Sequence, residues 1–168
     1  MTIEAFLGLP GMGKTYLMTK LGLKHMKKGI TVYANYPLEG AIYFSKIEEI
    51  FNVKEATILV DEAGLIAPAA FWNRIPFEVM AHWRQHRHKK INLWYTAQDL
   101  QDIAVPLRRV TQFANEVKKL GPVIWWKCTN PRTKEKYGGG FTLLDEAVYS
   151  KYDTHAANVT KQDYLNGT

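Results

Sequence analysis

The spacing of apolar residues alternates between two periods along the first two thirds of the chain. Residues 14–26 and 76–88 have the three-to-four-residue spacing of amphipathic helices. Runs of apolar residues typical of buried strands occur at residues 2–8, 30–36, 56–64 and 91–99. An alternation of strands and helices predicts an α/β domain, in which a parallel sheet lies between helices.

After Asp102 the periodicity weakens, and the pattern predicts a small C-terminal antiparallel β addition. Residues 109–120 and 122–129 are its candidate strands, and residues 130–141, which include three consecutive glycines, have the composition of a long hairpin loop. Because adjacent strand residues face opposite sides, one of Trp125 and Trp126 should be exposed, or covered by a partner chain or by the hairpin loop.

Three regions follow from this pattern. We expect a core over residues 1–120 and a β-hairpin extension of the same domain over residues 121–155. Residues 156–168 are polar, which is typical of a flexible tail, and they could lead into a membrane segment beyond this chain.

Composition excludes few classes of protein. The 168 residues suffice for one domain, and the net charge of +6 suits an anionic ligand, a nucleic acid or a membrane surface. Cys128 is the only cysteine, so an internal disulfide is excluded and a reducing compartment is expected. No apolar run approaches the roughly 20 residues that cross a bilayer, so we expect a soluble, cytoplasmic piece.

Residues 8–15 match the phosphate-binding pattern G-x-x-x-x-G-K-[ST] between a predicted strand and a predicted helix. Glycines let consecutive N–H groups converge on phosphate oxygens, and the helix start adds its positive end. Lys14 can reach the β- and γ-phosphates, and the Thr15 hydroxyl can bind Mg²⁺. The predicted nucleotide-binding residues are Gly8, Leu9, Pro10, Gly11, Met12, Gly13, Lys14, Thr15 and Tyr16.

Two acids, Asp61 and Glu62, follow the apolar run Thr57–Val60 at the carboxyl end of a predicted buried strand. A carboxylate at that edge can hold Mg²⁺ opposite Thr15, so Asp61 is the second predicted metal residue. Glu62 is then placed to polarise an attacking water. This pair favours hydrolysis over transfer of phosphate to a small molecule.

The next strand ends in Thr96 and Gln98, and Arg108 and Arg109 follow about ten residues later. Gln98 is predicted to sense the γ-phosphate and align the water, with Thr96 as the alternative sensor. Arg108 is predicted to reach a neighbouring subunit's nucleotide, with Arg109 as the alternative finger. A solvated basic turn explains the two arginines equally well.

The basic segment 81–90 has three readings. Glu78, His82 and His86 share a helical face and form a conceivable metal site. The basic residues with Trp83 suit a nucleic-acid patch. We favour a solvated helix face for the histidines, with Trp83 packed inward, and leave the role of the arginines open.

The order of these motifs resembles the zonular occludens toxin-like (Zot) family, which includes the filamentous-phage assembly ATPases known as gene I proteins. The resemblance covers residues 1–155 and rests on "GLPGMGKT", "VYANY", "ILVDEAG", "HRHKKINLWYTAQDLQDI", "PLRRVTQF" and "DEAVYSKYDTH". The most specific part is the spacing of the "HRH" segment from Thr96, Gln98 and Arg108.

The resemblance implies a P-loop NTPase with a RecA-like core (ASCE, FtsK/HerA-type), in which an extra strand separates the cradle strand from the Asp61 strand. It implies Mg²⁺-dependent ATP hydrolysis at the cytoplasmic face of the host inner membrane, which drives virion assembly and export. Implied partners are further copies in a ring, phage coat and assembly or pore proteins, and a membrane helix outside this chain. Single-stranded DNA is a further candidate. The residues that match the family's site are Lys14, Thr15, Asp61, Glu62, Gln98 and Arg108.

Two other functions fit the motifs. A small-molecule kinase would use the same cradle, although a kinase needs an arginine-rich lid for which Arg108 and Arg109 are poor candidates. A nucleotide-switched docking module would bind coat or pore proteins without sustained turnover.

Overall fold

The computed structural model describes residues 1–152, which form one eight-stranded sheet with helices on its faces. The strand order is β3-β2-β4-β5-β1-β6-β7-β8. The first six strands in this order are parallel, and β7 and β8 are antiparallel to their neighbours. The strands are β1 (Ile3–Leu7), β2 (Thr31–Ala34), β3 (Ile42–Tyr43), β4 (Ala56–Val60), β5 (Asn92–Ala97), β6 (Phe113–Leu120), β7 (Val123–Thr129) and β8 (Lys136–Leu143).

Within residues 1–152, four α-helices lie between strands and a fifth follows β8, with short 3₁₀ turns at Ile47–Ile50, Ala69–Arg74 and Leu100–Asp102. The helices are α1 (Lys14–Met26), α2 (Ala63–Ile66), α3 (Phe77–Arg84), α4 (Val105–Val110) and α5 (Glu146–Tyr149). Within residues 1–152, no helix is both long and apolar enough to span a membrane.

Each face of the sheet has its own core, because successive strand residues point to opposite sides. On one face, α1 and α5 cover an apolar cluster that includes Phe6, Leu59 and Trp94. On the other face, α2, α3 and α4 cover a cluster that includes Ile58 and Tyr95. The strands β4, β5 and β1 are therefore buried on both sides, as their continuous apolar runs predict.

The extra strand implied by the resemblance is present. β5 lies between the cradle strand β1 and the strand β4 that leads into Asp61, and it pairs in parallel with both. The carboxyl ends of β4, β5 and β1 consequently meet at one edge of the sheet.

The prediction that residues 109–120 form an antiparallel strand was wrong. β6 pairs in parallel with β1, from Glu4 opposite Phe113 to Leu7 opposite Glu116. The reason is that α4 carries the chain across the sheet after β5, so β6 enters in the same direction as β1. Only β7 and β8 form the antiparallel addition.

The predicted hairpin loop 130–141 was too long, because β8 begins at Lys136. The three glycines lie within this strand, where the backbone and ring of Trp126 occupy the space that a Cβ atom would need at Gly139 and Gly140. The helix predicted over residues 76–88 ends at Arg84, and Gln85 leaves the helical conformation with a ψ of 2°. Turns over residues 85–90, the last with a left-handed backbone at Lys90, then lead into β5.

The boundary predicted at residue 120 coincides with the turn between β6 and β7, and one sheet continues across it. The tail predicted for residues 156–168 lies outside the described residues, as do the last three residues of the predicted extension.

Candidate active site

The glycine-rich loop connects β1 to α1 at the carboxyl edge of the sheet, and its backbone shape depends on glycine. Gly13 has a φ of 81° and directly precedes α1. A Cβ atom there would collide with the side chain of Ile124, and one at Gly8 would lie 2.6 Å from the carbonyl oxygen of Val117. The loop therefore rests directly on β6 and β7, and larger residues at these two glycines would displace it.

Lys14 extends across the inside of the loop. Its Nζ donates hydrogen bonds to the carbonyl oxygens of Gly8 at 2.8 Å and Leu9 at 3.0 Å. Burial lowers the pKa of the Lys14 amine, and the negative charges of Asp61 and Glu62 oppose that shift. Among the described residues, no carboxylate contacts this amine directly, and the concave backbone segment around it would stabilise an anion.

Thr15 and Asp61 meet at the start of α1. The Thr15 hydroxyl donates to Asp61 Oδ1 at 2.9 Å, although 46 positions separate the two residues in the chain. Hydroxyl and carboxylate oxygens are the ligands that Mg²⁺ prefers. These two residues fit the metal role that the sequence predicts for them.

Asn35 holds the backbone of Asp61 in place. Its side-chain oxygen accepts from the Asp61 N–H at 2.7 Å, and its side-chain amide donates to the Asp61 carbonyl at 3.0 Å. In the sequence, Asn35 is distinguished only as part of the motif "VYANY". Its position just after β2, the parallel neighbour of β4, is the signal that could have found this role.

Thr96 links the two acids. The residue is buried at the end of β5, and its hydroxyl donates to Asp61 Oδ1 at 2.5 Å while accepting from the Glu62 N–H at 2.9 Å. Glu62 has a left-handed backbone (φ 52°) and an exposed side chain at the start of α2. In the described part of the chain, no hydrogen bond or ion pair engages the Glu62 carboxylate, so it is available to a water molecule.

Gln98 is placed differently from Thr96. Its side chain is exposed, and its backbone carbonyl accepts from the Gly8 N–H at 3.3 Å. Gln98 therefore lies at the mouth of the loop, whereas Thr96 is the side chain that contacts Asp61. The structure brings both sensor candidates to one site and favours Thr96 for the contact with the acids.

Tyr16 and Arg108 lie away from the inside of the loop. The Tyr16 hydroxyl accepts from the Asp145 N–H at 2.8 Å and donates to the Leu143 carbonyl at 3.2 Å, so the side chain anchors α1 to the end of β8. Arg108 is half-buried in α4, and its charge acts on the phenol of Tyr95. Tyr95 and Thr96 point to opposite faces of the sheet, so Arg108 is on the side away from Asp61 within its own chain.

The solvated face predicted for the histidines of the basic segment was wrong for two of them. His82 and His86 are 4% and 6% exposed. The His82 ring packs on Phe51, and His86 Nδ1 lies 2.8 Å from the Trp83 carbonyl oxygen. Burial, with a smaller effect of Lys89, lowers the pKa of His82 to about 4. Trp83 is buried as predicted at 2% exposure, so its ring is not accessible to a nucleic acid.

The sequence of residues 38–159 matches the family model described as zonular occludens toxin (Zot). The chain belongs to the Zot family. The match includes Asp61, Glu62, Thr96, Gln98 and Arg108, whereas the glycine-rich loop lies before it. A search of curated proteins finds no match.

Solved structures support the same assignment of the fold. The N-terminal domain of zonular occludens toxin from Neisseria meningitidis is 18% identical, with a TM-score of 0.63 over 90% of this chain and 98% of that one. The DNA-packaging ATPase B204 of Sulfolobus turreted icosahedral virus is 10% identical, with a TM-score of 0.64 over 86% and 98% of the two chains. The ATPase domain of G40P is 8% identical, with a TM-score of 0.62 over 90% and 84%. This Zot-family chain therefore has the predicted P-loop NTPase fold.

Proposed function

We propose that this chain is the ATP-hydrolysing motor domain of a Zot-like phage assembly protein, which drives virion assembly and export through the host inner membrane. The observation that carries the proposal is the contact between Thr15 and Asp61 beside the glycine-rich loop. It joins a phosphate-binding loop to an acidic strand end with oxygen ligands for Mg²⁺, which is the arrangement that nucleoside triphosphate hydrolysis requires.

Each residue of the candidate site has a separate role in the proposed hydrolysis. Backbone N–H groups of the loop and the Lys14 amine bind the phosphates, while Glu62 accepts a proton from water as the water oxygen attacks the γ-phosphorus and ADP leaves. Thr96 fixes the relative position of Asp61 and Glu62 through its two hydrogen bonds. Bound Mg²⁺, held by Thr15 and Asp61, would neutralise charge on the phosphate oxygens.

The wider setting rests on family membership. We infer a homo-oligomeric ring at the cytoplasmic face of the host inner membrane, with a membrane segment outside this chain and with phage coat and assembly or pore proteins as partners. The position of Arg108, away from its own chain's Asp61, supports a role at a neighbouring subunit's nucleotide. The packaging ATPase B204 and the ATPase domain of G40P share the fold, which supports a motor more than a kinase.

Glu62→Gln tests the proposal, with Glu78→Gln as the matched control because Glu78 is an exposed acid on α3. We expect Glu62→Gln to bind ATP with unchanged affinity and to release phosphate about 100-fold or more slowly, since a general base is lost. Glu78→Gln should retain both properties.

Three results would contradict the motor. Undiminished phosphate release by Glu62→Gln would show that Glu62 is not the general base for hydrolysis. Phosphate transfer that requires an added small-molecule acceptor would indicate a kinase. ATP binding by the wild type without any turnover, alone or with partner proteins, would indicate a docking module.

A further inference from the structure

The antiparallel part of the sheet has one face covered by α1 and one face open to solvent. Ile124 and Trp126 point to the α1 side and join its apolar cluster. Trp125 points the other way and is 46% exposed, which agrees with the prediction that one tryptophan of the pair is exposed. We define the open face by its outward side chains that are at least partly exposed, which are Glu116, Lys118, Leu120, Val123, Trp125, Lys127, Phe141 and Leu143.

The register of the three strands places a cation and two aromatic rings in one row across the open face. Lys118 on β6 is opposite Trp125 on β7, and Trp125 is opposite Phe141 on β8. The Lys118 amine lies 5.4 Å from the centre of the Trp125 ring. Phe141 is 77% exposed and Trp125 is 46% exposed, so the rings of both residues are accessible to a ligand.

Positive charge is concentrated on the same strands. Residues 113–143 contain six basic and two acidic side chains, so they carry four of the chain's six net positive charges. Lys118 and Lys127 are exposed on the open face, where Glu116 is the one acid that the strand register places opposite Lys127. The exposed lysines favour a polyanion as the ligand of this face. An apolar protein surface is a poorer fit, because the core of a protein–protein interface is usually depleted of lysine.

We propose that the open face binds single-stranded nucleic acid, with bases stacked on Trp125 and Phe141 and phosphates neutralised by Lys118 and Lys127. Aromatic rings beside cations are the surface that unpaired bases recognise without sequence preference. A duplex keeps its bases stacked on each other, so it cannot use the two rings in this way.

The open face is physically connected to the glycine-rich loop. The carbonyl of Val117, next to Lys118, lies under Gly8, and the side chain of Ile124, next to Trp125, lies under Gly13. A shift of β6 or β7 on nucleic-acid binding would therefore move the loop. Nucleotide affinity and nucleic-acid affinity should change by the same factor, because linkage is reciprocal. This coupling, unlike the binding itself, rests on the proposed function.

The test measures fluorescence anisotropy of a labelled oligothymidylate of about 16 nucleotides, a length within the range that one small single-strand binding domain occupies. We expect Trp125→Ala and Phe141→Ala each to weaken binding about tenfold or more through lost stacking. Lys127→Ala should reduce the slope of log affinity against log salt by about 0.7. Trp72→Ala is the matched control, because Trp72 is 53% exposed in the 3₁₀ turn Ala69–Arg74, outside the three strands of the open face, and should leave binding unchanged.

A second comparison keeps the inference independent of the ATPase. Lys14→Ala, which should lose ATP binding, should still bind the oligothymidylate. Absence of ATP hydrolysis by the wild type, together with normal binding of the oligothymidylate, would count against the motor and leave the open face intact. Thermal unfolding of Trp125→Ala and Phe141→Ala checks that both variants are folded.

Four outcomes would overturn the inference. The first is no binding of the oligothymidylate by the wild type at about 50 mM salt. The second is that Trp72→Ala weakens binding as much as Trp125→Ala does. The third is that a duplex competes as effectively as an unlabelled single strand, and the fourth is that Trp125→Ala changes the sedimentation mass without changing the nucleic-acid affinity. The last outcome would mean that a second copy of the chain covers the open face.

Discussion

Replacing Thr96 by valine removes one hydroxyl from the point where the two acids meet and leaves the side-chain volume nearly unchanged. The hydroxyl donates to Asp61 at 2.5 Å and accepts from the Glu62 N–H at 2.9 Å, and the residue is 1% exposed. A hydrogen bond to a charged group contributes about 1.5–3 kcal/mol and a neutral one about 1 kcal/mol. The free energy of unfolding should therefore fall by about 3 kcal/mol.

The effect on activity should exceed the effect on nucleotide binding. Asp61 keeps its bond from Thr15, but Glu62 loses the hydroxyl that fixes its backbone relative to Asp61. If loss of this positioning raises the activation free energy of hydrolysis by about 2 kcal/mol, kcat falls about 30-fold, since each 1.36 kcal/mol is a factor of ten in rate. Affinity for ATP should change less than about threefold, because the loop and Lys14 bind the phosphates.

Thr57→Val is the matched control. Thr57 is also fully buried, and its hydroxyl bonds His25 at 2.8 Å and Asn92 at 3.3 Å near the opposite end of the same sheet. Phosphate release and thermal unfolding are measured for both variants below their melting temperatures. We expect both to lose stability and only Thr96→Val to lose turnover.

Either of two results would refute this reasoning. Equal loss of turnover in Thr57→Val would mean that general destabilisation of the sheet, and not the contact with the acids, lowers activity. Normal turnover in a destabilised Thr96→Val would mean that its hydroxyl serves the fold alone, and Gln98 would then be the better sensor.

Three further predictions address other parts of the account. Lys14→Ala should weaken ATP binding about 100-fold or more by titration calorimetry, because an amine inside the loop is lost; unchanged affinity would contradict the phosphate cradle. Arg108→Ala should lower turnover more than binding, and only in assembled material; an equal loss in isolated monomers would place its action within one chain. His82→Gln should flatten the pH dependence of stability: the wild type, whose His82 pKa falls from 6.5 to about 4 on folding, should lose up to about 3 kcal/mol more than the variant as pH falls through that window. A constant difference between the two proteins across that window would show that His82 does not titrate as described.

The central part of the fold could be predicted because its patterns are local. α1 occupies residues 14–26 as predicted, since an apolar stripe follows a glycine-rich turn. The parallel core follows from alternating strands and helices, and the central position of β5 from the family resemblance. The meeting of Thr15 with Asp61 follows from these features, because parallel strands end at one edge.

Other features of the fold could not be predicted, because they depend on contacts between residues that are far apart in the sequence. The direction of β6 is set by the short helix α4, which was not predicted. The three glycines of β8 have the composition of a loop. Two of them are needed in the strand because Trp126, a residue on another strand, fills the space that a Cβ atom would occupy. The burial of His82 and His86 was not predicted because the surrounding positive charges suggested a solvated face. In the fold, His82 packs on the Phe51 ring and His86 bonds the backbone carbonyl of Trp83.

The most direct test of the account is a crystal structure of this domain with magnesium and a non-hydrolysable ATP analogue. We expect the triphosphate to lie along residues 8–15, the metal ion to lie between the Thr15 hydroxyl and Asp61, and the Glu62 carboxylate to face the γ-phosphate. An analogue bound at another surface, or Asp61 and Glu62 directed away from the phosphates, would contradict it.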